Sequence, residues 1–300
     1  MSIIGRGRGL DHVLVAVNDL YEARDDYRKK LGFSPAFEAI HPWGTRSSAI
    51  FFEGLESLQL VEVYDREKAD TDYLDVLEKR EGPCAITFEV PSIERTAKML
   101  RSKGFVVSNL NSGTAQYENI ETPPELWKGL SVWKLPFLGM IGFVQYNKMA
   151  RYQLLRKHRH VDPRRHTKHP NTAKTLRAVW LAVESLTDSV SILERIGFRR
   201  GEFVGLNHLG ARGCEIEAGE SSILLVEPVD KRGIAGRFIE DYGQDFIGVS
   251  IEVEDFDSAR DFVEIMGDLR LLPYAGTYGQ SILVPSKSAH GLWIELFQRK

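Results

Sequence analysis

The stretch His41-Pro42-Trp43-Gly44-Thr45-Arg46 concentrates residue types that do chemistry. His41 is a group that titrates near neutral pH, Trp43 a flat apolar wall, and Arg46 a fork that fits a carboxylate or phosphate, with Thr45 beside it. The same residues also suit a Gly-centred bend with an exposed rim, and sequence alone leaves both open. Trp127 and Trp133 lie in a longer segment from Gln116 to Trp133 that contains Pro123-Pro124 and reads as a loop. They could cap a pocket or only pack the loop down.

A second cluster lies in RKHRHVDPRRHTKHP, which carries His158, His160, His166 and His169. Lys148 to Arg177 holds ten Lys or Arg and a single acid, Asp162, although the net charge of the chain is only −3. The histidines could bind a metal or an anionic partner, and the ten cations could meet nucleic-acid phosphates. Few aromatics for base stacking accompany them, and the rest of the chain is acidic. A solvated linker or helix that salt-bridges to its neighbours is therefore the better reading, and nucleic acid is not the expected partner.

Four elements must position these residues, and they repeat. LDHVLVAV, PCAITFEV, LRAVWLAV and FIGVSIEV end at Val17, Val90, Val183 and Val253. Two residues on stand the N-cap residues Asp19, Ser92, Ser185 and Asp255, followed by one apolar residue each. Gly32, Gly104, Gly197 and Gly267 then stop each helix, at Val-to-Gly spacings of 15, 14, 14 and 14. After each glycine come short β-branched or aromatic stretches bounded by Gly and Pro, which read as antiparallel strands. Each unit is thus β-α-β-β-β. Gly44-Thr45-Arg46 matches Gly210-Ala211-Arg212, and Leu60-Val61-Glu62 matches Leu225-Val226-Glu227, so the chain reads as a duplicated pair of units. The expected fold is α+β, with four such modules in two pairs, each pair a curved mixed sheet with helices outside. Residues 1–147 and 174–300 would be the two domains and 148–173 the basic connector.

No segment approaches the ~20 apolar residues of a bilayer span, and MSIIGRGRGLDH lacks the apolar run of a signal peptide. The expectation is a cytoplasmic protein with no membrane partner. Cys84 and Cys214 sit in strand-like contexts and read as buried packing residues.

The repeated unit, with LDHVLVAVNDL, HPWGTRSSAIFF and KLPFLGMIGFVQY as local wording, resembles the vicinal-oxygen-chelate superfamily of glyoxalases, antibiotic-resistance proteins and extradiol dioxygenases. The resemblance implies a divalent metal (Zn²⁺, Ni²⁺, Mn²⁺ or Fe²⁺) held from the first and last strands of two paired units. Aligned on that pattern, the N-terminal half offers His12, Gln59 and Gln145, with Ala85 at the fourth corner. The C-terminal half offers Ala178, Leu224, Gly248 and Glu295, of which Glu295 would be the relic of a lost site. Two missing imidazoles exclude the ferrous facial triad of a catechol dioxygenase. The resemblance then implies a glyoxalase-like enzyme acting on a small carbonyl- or hydroxyl-bearing molecule in the N-terminal half. There His41 or Glu62 would move protons, and Trp43, Thr45, Arg46 and Trp133 would hold substrate. The alternative it admits is a metal-free binding protein that sequesters a hydrophobic or aromatic small molecule. A monomer or a homodimer would serve either role.

Overall fold

The computed structural model describes residues 3–5, 9–69, 71–113, 116–117, 120–122, 125–137 and 139–299. Unit one comprises β1 (Leu10–Val17), α1 (Leu20–Lys29), β2 (Glu38–Ile40), β3 (Thr45–Phe51) and β4 (Ser57–Val63), followed by a short helix α2 (Thr71–Leu77). Unit two comprises β5 (Gly82–Glu89), α3 (Ile93–Ser102), β6 (Val106–Val107), β7 (Asn111–Gly113), β8 (Gln116–Tyr117), β9 (Ile120–Glu121), β10 (Trp127–Trp133) and β11 (Met140–Tyr146). Helix α4 (Lys148–Lys157) and two 3₁₀ turns lead to β12 (Ala173–Ala182), α5 (Leu186–Ile196), β13 (Arg199–Leu206), β14 (Ala211–Ala218), β15 (Ser221–Pro228) and α6 (Ile234–Tyr242). Unit four is β16 (Asp245–Val253), α7 (Phe256–Gly267), β17 (Tyr274–Ala275), β18 (Gln280–Val284) and β19 (Trp293–Gln298).

The strands form two curled mixed sheets, of eleven and eight strands. In each, the first strands of the two units lie antiparallel at the centre, β1 beside β5 and β12 beside β16. Each first strand also pairs in parallel with the last strand of its own unit, β1 with β4, β5 with β11, β12 with β15 and β16 with β19. The α+β architecture of paired β-α-β-β-β units is therefore observed.

All four caps form: the side chains of Asp19, Ser92, Ser185 and Asp255 accept from first-turn amides. Three of the four glycines take the left-handed region, at φ 74° for Gly32, 82° for Gly104 and 123° for Gly197. The fourth does not. Gly267 is still helical, and Asp268, at φ 49°, takes the left-handed residue instead.

The outer faces of the two sheets share one core. Val13, Val15 and Val17 of β1 join Val179, Leu181 and Val183 of β12 in it, and all six are fully buried. At about 1.5 to 3 kcal/mol per buried aliphatic side chain, this seam binds half to half. Phe198 of the second half packs on Phe88, with ring centroids 4.9 Å apart, and Arg80 pairs with Asp245 at 2.7 Å. Cys84 and Cys214 are buried free thiols.

Two sequence expectations change here. The segment from Gln116 to Trp133 is not a plain loop: β8 extends the edge of β2, with Tyr117 opposite Ala39, and β10 is the partner of β11. Pro123 and Pro124 lie outside the described residues. The connector is not simply solvated either. Lys168 does pair with Glu53 at 2.7 Å, but Leu154, Val161 and His169 are buried against the first half. Helices α2 and α6, each after the first unit of its half, have no counterpart in the sequence reading. No helix among the described residues is long and apolar enough to cross a membrane.

Candidate functional site

A β-bulge builds the centre of the site. Leu10 pairs with Phe88 and His12 with Thr87, so Asp11 is an extra residue in β1 without a cross-strand partner. A bulge re-aims the side chains around it. Here Asp11 and His12, although neighbours, both line the concave face of the first sheet. His12 Nδ1 lies 2.7 Å from Asp11 Oδ2, and the Tyr146 hydroxyl donates to the same oxygen at 2.9 Å. Burial, with the Asp11 charge next to it, raises the Tyr146 phenol well above its ordinary value, so it stays a donor.

Around this chain of three lies a cavity of about 1010 Å³. Its walls come from alternate residues of the inner strands, among them Leu14, Ser47, Gln59, Thr87 and Ser131. Aromatic residues close it: Phe37, Phe51 and Tyr117 on one side, Trp43 and Trp127 on another. The rings of Trp43 and Trp127 meet edge to face at 6.1 Å. Helix α4 covers the end near Asp11 with Arg151, Leu154 and Leu155, spaced to share one helix face.

His12, Gln59, His41, Trp43 and Thr45 all line this one cavity. His41 stacks on Trp43 at 4.8 Å, and its Nε2 lies 3.2 Å from Ser47 Oγ. Its Nδ1 is buried without a hydrogen-bond partner among the described residues. Burial, aided by nearby His12, pulls its pKa down to about 4 rather than near neutrality, so His41 is a neutral wall residue at pH 7.

Four other residues lie elsewhere, and their assigned roles need correction. Arg46 and Glu62 form a two-pronged ion pair, at 3.0 and 2.8 Å, across β3 and β4. Glu62 also accepts from the Leu20 amide at 2.9 Å, on the helix side of the sheet. Gln145 does the same for α3, accepting from Ile93 N at 2.8 Å. Trp133 shares β10 with Trp127 but lies beyond the cavity wall. The reason is register. Leu14 faces Gln59, Thr87 faces Gly142, Trp180 faces Leu224 and Ser250 faces Glu295 in the four parallel pairs. Gly142, not Gln145, is therefore the equivalent of Gln59.

The metal expectation can be tested on this register. The four corners hold His12, Gln59, Ala85 and Gly142, which is one imidazole and one amide oxygen. His12 already engages Asp11 through Nδ1. Among the described residues no three His, Cys, Asp or Glu side chains are grouped to hold an ion. Zn²⁺ and its first-row neighbours need three or more protein donors, usually with an anionic one, so this set does not fit.

In the C-terminal half the equivalent space is filled by side chains. Trp180, at the position of Leu14, is fully buried and donates to Ser250 Oγ at 2.8 Å. Ser250 donates to Glu295 at 2.6 Å, and Tyr274 does so at 3.0 Å. Glu295 is 2% exposed, and its carboxyl is raised by burial. It is an internal hydrogen-bond acceptor rather than an open ligand. A β-bulge recurs between Leu176 and Ala178, which puts Arg177 where the first half has Asp11.

Sequence reasoning missed Asp11, Thr87, Tyr146 and Arg151. Only LDH at the start of β1, an acid beside a histidine, was a signal for the first.

A family model described as a glyoxalase-like domain matches residues 10–197. No curated protein matches by sequence. Among solved structures, the chain is similar to a mutant of 4-hydroxymandelate synthase from Streptomyces coelicolor, at 14% identity and TM-score 0.67, over 100% of this chain and 94% of that one. It is also similar to a hypothetical protein from Staphylococcus aureus, at 11% identity and TM-score 0.63, over 96% and 98% of the two chains. These similarities, with the paired β-α-β-β-β units, assign the fold as vicinal-oxygen-chelate, and the chain belongs to the glyoxalase-like domain family.

Proposed function

We propose that the concave site of the N-terminal half binds a small molecule with a flat apolar body and a carbonyl or hydroxyl oxygen, and that His12 moves a proton on it. The observation that carries this reading is the Tyr146–Asp11–His12 chain in the wall of the cavity. A carboxylate on Nδ1 fixes that nitrogen as the protonated one, makes Nε2 the basic atom, and stabilises the imidazolium that forms. Thr87, directly across from His12, and Gln59 supply neutral hydrogen-bonding groups for the substrate oxygen. The C-terminal half acts as a structural partner. No metal takes part in this scheme, because the donor set argues against one.

The aromatic wall of Trp43, Trp127, Phe37 and Phe51 favours a second reading, a binding protein that holds such a molecule unchanged. Proton exchange separates the two. Arylacetones such as phenylacetone, incubated in D₂O and followed by NMR, should exchange the protons beside the carbonyl faster with protein than without. His12→Ala should lower that rate by about 10²-fold or more while ligand binding persists. Binding with exchange no faster than in buffer would select the sequestering protein instead.

A further inference from the structure

We infer that the ligand of the N-terminal cavity carries a carboxylate, and that Arg151 of α4 is the residue that selects for it. This rests on the cavity being the ligand site and adds the class of ligand.

The inference follows from what each charged group of the wall already does. Four carboxylates line the cavity: Asp11, Glu56, Glu89 and Glu220. Asp11 is taken by His12 and Tyr146. Glu56 accepts from Leu176 N at 2.9 Å and ties the two halves together. Glu89 has a partner of its own, and Glu220 is exposed at the mouth. Arg151 is the one Arg or Lys in the described wall. Among the described residues no carboxylate lies within ion-pair distance of it. The nearby acid of its own segment, Asp162, is held by Arg164 through contacts of 2.7 and 2.9 Å.

Arg151 is also held still. Its guanidinium lies 4.8 Å over the Tyr146 ring, that hydroxyl is bound to Asp11, and Asp11 to His12, so Tyr146 and Asp11 link the fork to the proposed base. A planar guanidinium stacked on an aromatic ring keeps its edge free for a bidentate carboxylate. The helix itself is fixed by the Asn147 cap and by Leu154 buried beneath it. A ligand with its apolar body against the wall that Trp43 and Trp127 form and its carboxylate on Arg151 would pass His12, which lines the same cavity.

The test compares naphthoate with naphthamide, a pair that differs in charge and hardly in shape, by titration calorimetry. Wild-type protein should bind the acid about tenfold or more tightly than the amide, as a charge-assisted contact implies. In Arg151→Gln the acid should lose that advantage while the amide keeps its affinity, and Arg151→Lys should restore part of it. Lys157→Gln, on the outer end of the same helix, should change neither. Equal binding of acid and amide by wild type, or a preference that survives Arg151→Gln, would overturn the inference and leave the cavity reading standing. A parallel loss of both ligands in Arg151→Gln would mean that the arginine only packs on Tyr146, which also overturns it. Binding of neither ligand by wild type would overturn the cavity reading together with it.

Discussion

Asp245→Asn should destabilise the whole chain, because it would strand a buried cation between the halves. Arg80 and Asp245 are 8% and 2% exposed, and their contact is 2.7 Å. Arg80 also donates to the carbonyls of Glu81 at 3.2 Å and Phe246 at 3.3 Å, and lies over the rings of Phe238 and Tyr242. Removing one partner of a buried pair costs about 3–5 kcal/mol, mostly as the desolvated charge left behind. With about 2.1 cal/mol/K of unfolding entropy per residue, 300 residues give about 0.6 kcal/mol/K, so Tm should fall by about 5–8 °C. Burial outweighs Arg80 and holds the Asp245 carboxyl at about 6, so scanning calorimetry belongs at pH 7.5, where the acid is ionised. Because the pair joins the halves across a shared core, both should melt in one transition. Arg80→Met combined with Asp245→Leu should recover most of the loss, since an apolar pair carries no desolvation cost. A Tm within about 2 °C of wild type for Asp245→Asn, or a double variant as unstable as the two singles summed, would refute this reasoning.

Other consequences follow from buried imidazoles and from the filled second half. His169 accepts from Ser34 N through Nδ1 and lies 3.0 Å from the Phe51 carbonyl through Nε2, and burial depresses its pKa to about 4. Its folded value is below the unfolded one, so stability should be lost as pH falls from about 6.5 to 4, by about 3 kcal/mol. Urea titrations of wild type against His169→Gln over that range should show a shallower acid slope in the variant. His290 has the opposite sign: burial opposes, but the Glu81 hydrogen bond at 2.8 Å and the charges of Glu81 and Asp26 outweigh it and raise its pKa. Its contribution is complete below about pH 6.5 and lost as pH rises through the folded value, so His290→Gln should flatten the alkaline side of the stability profile. Trp180→Ala should cost about 3–5 kcal/mol by opening a cavity in the second half, with no change in binding at the first when checked by calorimetry.

The unit repeat, its caps and its helix lengths were legible because they rest on local signals: a side-chain oxygen at a helix start and a run of apolar alternation. The match of Arg46 and Glu62 with Arg212 and Glu227 was legible too, but its meaning lay in the second pair. Arg212 bonds Glu227 just as Arg46 bonds Glu62. A pattern repeated in the half whose corners are emptied belongs to the scaffold, not to the chemistry. Gln145 was misplaced for a related reason. MIGFVQY offers Gln145 as its one amide side chain, whereas the true corner is Gly142, and a glycine leaves no trace of the position it fills. Residues beside a helix start, Glu62 under Leu20 and Gln145 under Ile93, were the missing guide to register. Asp11 could not be read as a cavity residue from alternation, since a bulge breaks the period of two that alternation assumes. Arg151 was hidden in a basic stretch whose average charge described its outer face. The arrival of α4 over the cavity depends on long-range packing of Leu154 and Val161, which no local pattern encodes.

With the concave face of the first half proposed as the ligand site and that of the second half filled by side chains, a ligand should touch only the first. The most direct measurement is ¹⁹F NMR of protein labelled with 5-fluorotryptophan, its five indole signals assigned by single Trp→Phe variants, during titration with naphthoate or phenylacetone. Trp43 and Trp127 should shift, while Trp133, Trp180 and Trp293 should hold still. Shifts at Trp180 and Trp293 with Trp43 and Trp127 unmoved would place the ligand in the wrong half and contradict that proposal.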